Sequence, residues 1–197
     1  MIEEIEPHPD LIEYFNITNN FKSDLQVNIF SEAGENYNIL SDINQNIFLL
    51  KNLDKLDLLK DENYLCDCGL GLGNALFEIY LQSKEIDKKF HFTGVEKQKL
   101  YVDYVSKNLL HLWNDLEIIN CDIMDIDYSK FNIIYSYSPF NNYKQLKSMY
   151  QKITSDIKSG SLIIEHANNG KGHFDLLTEI SELEEIKLDW ISVFKKT

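Results

Sequence analysis

The sequence predicts an α/β fold, a mostly parallel sheet with helices on both faces, preceded by an N-terminal helical appendage. Three observations predict it. After residue 60, short apolar runs alternate with stripes of helical period. The connections between them are short, as in crossovers from one parallel strand to the next. The first apolar run ends in three glycines at every second position, directly ahead of a helical stripe. We divide the chain into an appendage, residues 1–60, and a main domain, residues 61–197.

In the appendage, Leu40, Ile43, Ile47, Leu50 and Leu53 recur at three- and four-residue steps and predict an amphipathic helix. Asn19-Asn20 and Gly34-Glu35-Asn36 are expected to be turns. Tyr37, Asn38 and Asp42 follow, and this stretch is expected to close over the site described below. The main domain begins with a strand at 64–67 and a helix at 75–81. A strand at 90–96 follows, then a helix whose face is Leu100, Tyr104, Val105, Leu109 and Leu112. Two more strands fall at 116–120 and 131–136. Leu146, Met149, Tyr150, Ile153 and Ile157 mark a further helix, with Gly160 where a C-cap glycine belongs. A fifth strand at 161–165, a short helix near 174–183 and one or two strands within 186–195 complete the chain.

Composition narrows the function. The net charge is −13, and all 19 basic residues are lysine. A protein that grips nucleic acid by its backbone usually presents a basic face. Without arginine, forked contacts to phosphate or guanine are also absent. A protein or small-molecule partner is therefore favoured over nucleic acid. No apolar run reaches the ~18 residues of a membrane span. The acidic N-terminus lacks the basic-then-apolar pattern of a secretion signal, so a cytoplasmic location is expected. Cys66, Cys68 and Cys121 are expected to be buried and reduced. No histidine has a partner at metal-ligand spacing, and no metal is expected.

In a parallel sheet, ligands bind beyond the C-terminal ends of the strands, so the residues leaving each strand are the candidates. The first exit is Asp67-Cys68-Gly69-Leu70-Gly71-Leu72-Gly73. Its glycines let the backbone turn sharply and let a ligand lie against it. A pyrophosphate-binding loop has its third glycine one residue later, as G-x-G-x-x-G. Here the third glycine comes early, and Asp67 would repel a phosphate and attract a cationic group. This disfavours a nicotinamide-dependent dehydrogenase. The second exit is Glu96-Lys97, 23 residues past the last glycine, where a carboxylate can accept from ribose hydroxyls. The third is Asp122-Ile123, a carboxylate and an apolar wall suited to adenine. The fourth is Tyr135-Ser136-Tyr137-Ser138-Pro139-Phe140, an aromatic segment placed to meet the second reactant. At least one of its two tyrosines is expected to pack into the core. His166 follows the fifth strand; a surface or loop-stabilising role is the favoured expectation, with a proton acceptor as the alternative.

Together these residues resemble the class I S-adenosylmethionine (SAM)-dependent methyltransferases over residues 61–197, most specifically in the D-x-G-x-G-x-G loop. The resemblance implies a Rossmann-like, seven-stranded, mostly parallel sheet with an antiparallel strand near its C-terminal edge. The short stretch after Glu165 implies an abbreviated last strand pair. It also implies SAM as cofactor. Asp67, Cys68, Gly69, Leu70, Gly71 and Gly73 would lie around the methionine part, with Glu96 and Lys97 at the ribose, Asp122 and Ile123 at the adenine, and Ser136 close by. Tyr135, Tyr137, Pro139 and Phe140 would line the acceptor pocket, with Tyr137 and His166 as catalytic candidates. Gly94-Val95-Glu96-Lys97 is faintly similar to the non-SET protein lysine methyltransferases. Tyr137-Ser138-Pro139-Phe140 is similar to the Asn/Asp/Ser-Pro-Pro-aromatic motif of amino-group methyltransferases. It departs from that motif at Tyr137 and Ser138, so no amide or carboxylate stands where that mechanism needs one. The acceptor is left open, and a non-catalytic SAM-fold binding or scaffold subunit stands as the alternative.

Overall fold

The computed structural model describes residues 8–25, 48–137, 139–140, 142–166, 174–188 and 191–197. Leu40, Ile43 and Ile47 of the predicted stripe, the 34–36 turn, and Tyr37, Asn38 and Asp42 lie outside the described residues. The elements run α1 (Pro9–Leu25), α2 (Leu49–Lys55), β1 (Glu62–Cys68), α3 (Asn74–Ser83), β2 (Lys89–Val95), α4 (Lys99–Asn108), β3 (Leu116–Ile119), β4 (Ile133–Ser136), α5 (Tyr143–Asp156), β5 (Leu162–Glu165), α6 (Phe174–Thr178), β6 (Leu183–Leu188) and β7 (Ile191–Lys196).

The seven strands form one sheet in the order β3-β2-β1-β4-β5-β7-β6. β1 pairs in parallel with β2 and β4, and β3 and β5 extend the parallel run on either side. β7 is antiparallel to both of its neighbours. The fold is therefore the mostly parallel, Rossmann-like sheet expected. Its last strand pair is full length, six residues in each strand, rather than abbreviated.

Strand alternation divides the core in two. Leu65, Ile133, Tyr135, Leu162 and Ile164 face one side and pack with α1 to α4. Cys66, Cys68, Ile134 and Ile163 face the other and pack with α5 and α6. The described part of the appendage shares the first of these cores. Leu11, Tyr14 and Phe15 of α1 and Leu49, Leu50 and Leu53 of α2 are all buried there.

Two local expectations are corrected. Asn19-Asn20 is not a turn, because α1 runs through it to Leu25. The burial of Leu11, Tyr14, Phe15 and Thr18 holds the helix against the low helix propensity of asparagine. Gly160 is not the cap of α5, which ends at Asp156 with Ile157 already extended. Gly160 instead takes a φ of +81° in the turn before β5 and donates its N–H to the Lys196 carbonyl at 2.7 Å. The final helix is also shorter than expected, because Leu183 opens β6. No helix among the described residues is long and apolar enough to cross a membrane.

Candidate functional site

β1 delivers Asp67 to the C-terminal edge of the sheet, and the chain then turns through Gly69, Gly71 and Gly73, all at positive φ. The turn is pinned to β2. Gly69 and Leu70 both donate to the Val95 carbonyl, at 3.0 and 2.9 Å, and Gly73 donates to Leu70 at 2.7 Å. The Gly71 N–H donates to Glu96 Oε2 at 2.9 Å, and Glu96 Oε1 accepts from the Gln98 N–H at 2.7 Å. Four loop N–H groups are thus committed to acceptors within the protein. A phosphate cradle needs such groups aimed at the ligand. This loop instead holds a carboxylate on each flank.

Those carboxylates differ in their surroundings. Glu96 is 8% exposed, and its two oxygens each accept a backbone N–H. Asp67 is 3% exposed. Burial first, and then the charge of Glu96, push its carboxyl up to about 7.

The back of the loop rests on α1, a contact absent from the sequence reading. The Tyr14 hydroxyl donates to the Leu72 carbonyl at 2.7 Å, and the ring stacks on Phe77 with centroids 4.1 Å apart. A Cβ on Gly73 would come within 2.7 Å of that hydroxyl, so glycine is required there by space as well as by φ. Asn74 donates to Thr18 at 3.3 Å, and Tyr104 donates to the Ile17 carbonyl at 3.0 Å. Nothing local in the sequence marks Tyr14, since its partner lies 58 residues away.

At the β3 exit, Asp122 accepts from the Met124 N–H at 2.9 Å and pairs with Lys97 Nζ at 3.2 Å. Lys97, Asp122, Met124 and Phe140, with Lys144, Gln145 and Ser148 of α5, line a cleft of about 250 Å³. Ile123 is buried beside it. Pro139 approaches the loop from β4, its Cβ 3.3 Å from where a Cβ on Gly69 would lie. The structure therefore gathers Asp67, the glycines, Glu96, Lys97, Asp122, Ile123, Pro139 and Phe140 at one edge of the sheet.

Other candidates face elsewhere. The Cys68 thiol donates to the Tyr128 hydroxyl at 3.4 Å on the α5 side of the sheet. The Leu70 side chain packs over Gly94. Ser136 Oγ lies 3.2 Å from the Tyr150 hydroxyl, fully buried. Tyr135 is wholly within the core. Tyr137 is half-buried and meets the His166 ring edge-on at 4.9 Å. Burial lowers the pKa of His166, which favours the neutral ring, and its Nδ1 is buried without a hydrogen bond. Next to it, Glu165 is fully buried with neither oxygen partnered among the described residues, and burial pushes its carboxyl well above the usual carboxylate range. The sequence reading placed no weight on Glu165, although period-2 alternation sets it on the same buried face as Ile163. Among the described residues no group of three or more His, Cys, Asp or Glu is arranged to hold a metal ion.

No family model matches the chain, and no curated relative matches it. Solved structures do. A Listeria monocytogenes protein provisionally described as a class I SAM-dependent methyltransferase superposes with a TM-score of 0.65 at 13% identity, over 99% of this chain and 71% of that one. A Staphylococcus aureus protein provisionally described as a caffeoyl-CoA O-methyltransferase gives 0.56 at 14% identity, over 94% of this chain and 100% of that one. A Pyrococcus horikoshii protein provisionally described as an RNA methyltransferase gives 0.53 at 17% identity, over 76% and 81%. These likenesses establish the class of fold: the chain has that of the class I methyltransferases.

Proposed function

We propose that this chain is a SAM-dependent methyltransferase acting on a protein side chain or a small molecule. The observation that carries the reading is the pair of buried carboxylates, Asp67 and Glu96, flanking a glycine loop whose N–H groups are already committed. Such a site repels phosphate and suits a ligand that brings an ammonium and ribose hydroxyls. Bound there, SAM supplies a methyl group activated on a sulfonium.

The residues divide the work as follows. Asp67 takes the ligand's ammonium, and the glycines let its backbone lie close. Glu96, oriented by two N–H groups, takes the ribose hydroxyls. Asp122 and Phe140 border the 250 Å³ cleft and take the adenine together with the neighbouring Ile123, with Lys97 fixing Asp122. Tyr137 and Pro139 line the approach of the acceptor. Methyl transfer is an in-line displacement that depends mainly on positioning and exclusion of water. A neutral His166 accepts the proton that the acceptor loses. Helix α1 serves as a buttress to the loop, through Tyr14. The charge of −13 and the lack of arginine favour an acceptor other than nucleic acid.

A second reading, a non-catalytic subunit that binds SAM, draws on Tyr137 standing where amino-group methyltransferases place an amide or acid. Calorimetry with SAM and S-adenosylhomocysteine, followed by transfer from labelled SAM into cell extract, tests both. We expect both ligands to bind. Glu96→Ala should weaken binding by about 1.5–3 kcal/mol, roughly ten- to a hundredfold. His166→Ala should leave donor affinity unchanged and slow transfer. Absence of binding by the intact chain overturns the proposal, and binding without any labelled product favours the second reading.

A further inference from the structure

The mutual repulsion of Asp67 and Glu96 has a consequence for how the donor site fills. The two carboxylates end adjacent strands, with Asp67 paired in register to Gly94, two residues before Glu96. Both are buried. Among the described residues, the groups that face Asp67 from each neighbouring element bring no positive charge. From the tip of β2 comes Glu96, whose charge opposes that of Asp67. From α1 comes the Tyr14 phenol, which itself feels Asp67. From β4 comes Tyr135, opposite Asp67 in the ladder, and from its own strand the Cys66 thiol. Lys97, next to Glu96 in sequence, is paired with Asp122 at 3.2 Å.

We propose that the site exchanges a proton for its ligand: Asp67 holds a proton beside charged Glu96 when the site is empty, and the ligand's ammonium takes that proton's place. The exchange balances. The neutral Asp67 carboxyl and a cationic ligand become an Asp67 carboxylate paired with the ammonium, and one proton passes to solvent. Glu96 is the residue held ionised, because both its oxygens accept backbone N–H groups. Asp67, pushed up to about 7, is the one poised to give up its proton near neutrality. The inference rests on the donor-site reading above and deepens it. Asp67 selects for the amino-acid end of the ligand and makes affinity depend on pH.

The test is calorimetry on the full chain with two probes, S-adenosylhomocysteine and 5′-methylthioadenosine. The second keeps the adenine and ribose but lacks the ammonium. Titrations at pH 6 in two buffers of different ionisation enthalpy count the protons released. S-adenosylhomocysteine should release about nine-tenths of a proton, and its affinity should fall roughly fifteenfold from pH 7 to 5.5. Over that range its own ammonium stays charged. Methylthioadenosine should release none and vary by less than about twofold. Asp67→Asn should keep methylthioadenosine affinity, which shows the site is folded, while S-adenosylhomocysteine binding weakens and loses its pH dependence. Binding of S-adenosylhomocysteine without proton release and with flat pH dependence overturns this proposal alone. Failure of both nucleosides to bind overturns the donor-site reading and this inference with it.

Discussion

The exits of β1–β3 and those of β4–β5 are built in opposite ways. On the first side Glu96 and Asp122 are tied to the backbone. Glu96 accepts two N–H groups, Asp122 accepts one and holds Lys97, and the glycine turn hangs from Val95. On the second side the Glu165 oxygens and His166 Nδ1 are buried without partners among the described residues. Buried polar atoms are nearly always satisfied in native proteins. The first exits are thus held largely by backbone ties, as suits a ligand that never changes, while the β5 exit presents two buried titratable groups, as suits a second reactant brought in from outside.

The comparison is most sharply broken by removing what supports the ordered half. Deleting residues 1–60 strips Leu11, Tyr14, Phe15, Leu49, Leu50 and Leu53 from the core. At about 1.5–3 kcal/mol for each buried side chain, the loss matches the whole stability of a typical domain, about 5–15 kcal/mol. We expect the truncated chain not to fold, as judged by circular dichroism. A cooperative melt that retains SAM affinity would show that the loop needs no support from α1.

A smaller effect probes the other half. Burial holds the Glu165 carboxyl above its ordinary value of 4.5 in the folded state. Above that pH the native protein keeps a proton that the unfolded chain gives up, so stability falls as pH rises, by up to about 1.4 kcal/mol per unit. Asp67 acts in the same sense up to about 7. Glu165→Gln should remove its share of the slope, so that its advantage in urea midpoint over the wild type grows from pH 5 to pH 8. A constant difference would mean that Glu165 is ionised, with a partner in the folded protein.

The smallest effect should come from Lys97→Met. The Lys97–Asp122 pair is partly exposed, and such pairs contribute about 0–1 kcal/mol. S-adenosylhomocysteine affinity should drop less than about fivefold, and the difference should shrink in high salt. A larger drop that survives salt would give Lys97 a direct role in the ordered half.

The same contrast explains what was legible in the sequence. The parallel strands were legible because alternation and short connections are local patterns. Asp67, Glu96 and Asp122 were legible because each lies at or within a few residues of a strand's C-terminal end, and strand ends converge at one edge of the sheet. Tyr14 was not, because its importance arises from a contact with Leu72 that only the folded chain makes. Asn19-Asn20 misled because tertiary burial outweighed propensity, and Gly160 because a positive φ serves turns before strands as well as helix ends. Ser136 and Cys68 sit in the right segment, yet the pleat aims their side chains at Tyr150 and Tyr128.

Leu70 reaches from the glycine turn to fill the space above Gly94, where an added Cβ would lie 2.6 Å from both of its methyl carbons. These two positions are therefore free to drift only together. A lineage that acquires a side chain at 94 must first, or at once, shrink the residue at 70, and the single steps should be far more damaging than their combination. Across relatives, the pair should show the mutual dependence of a lock whose two halves were cut as one.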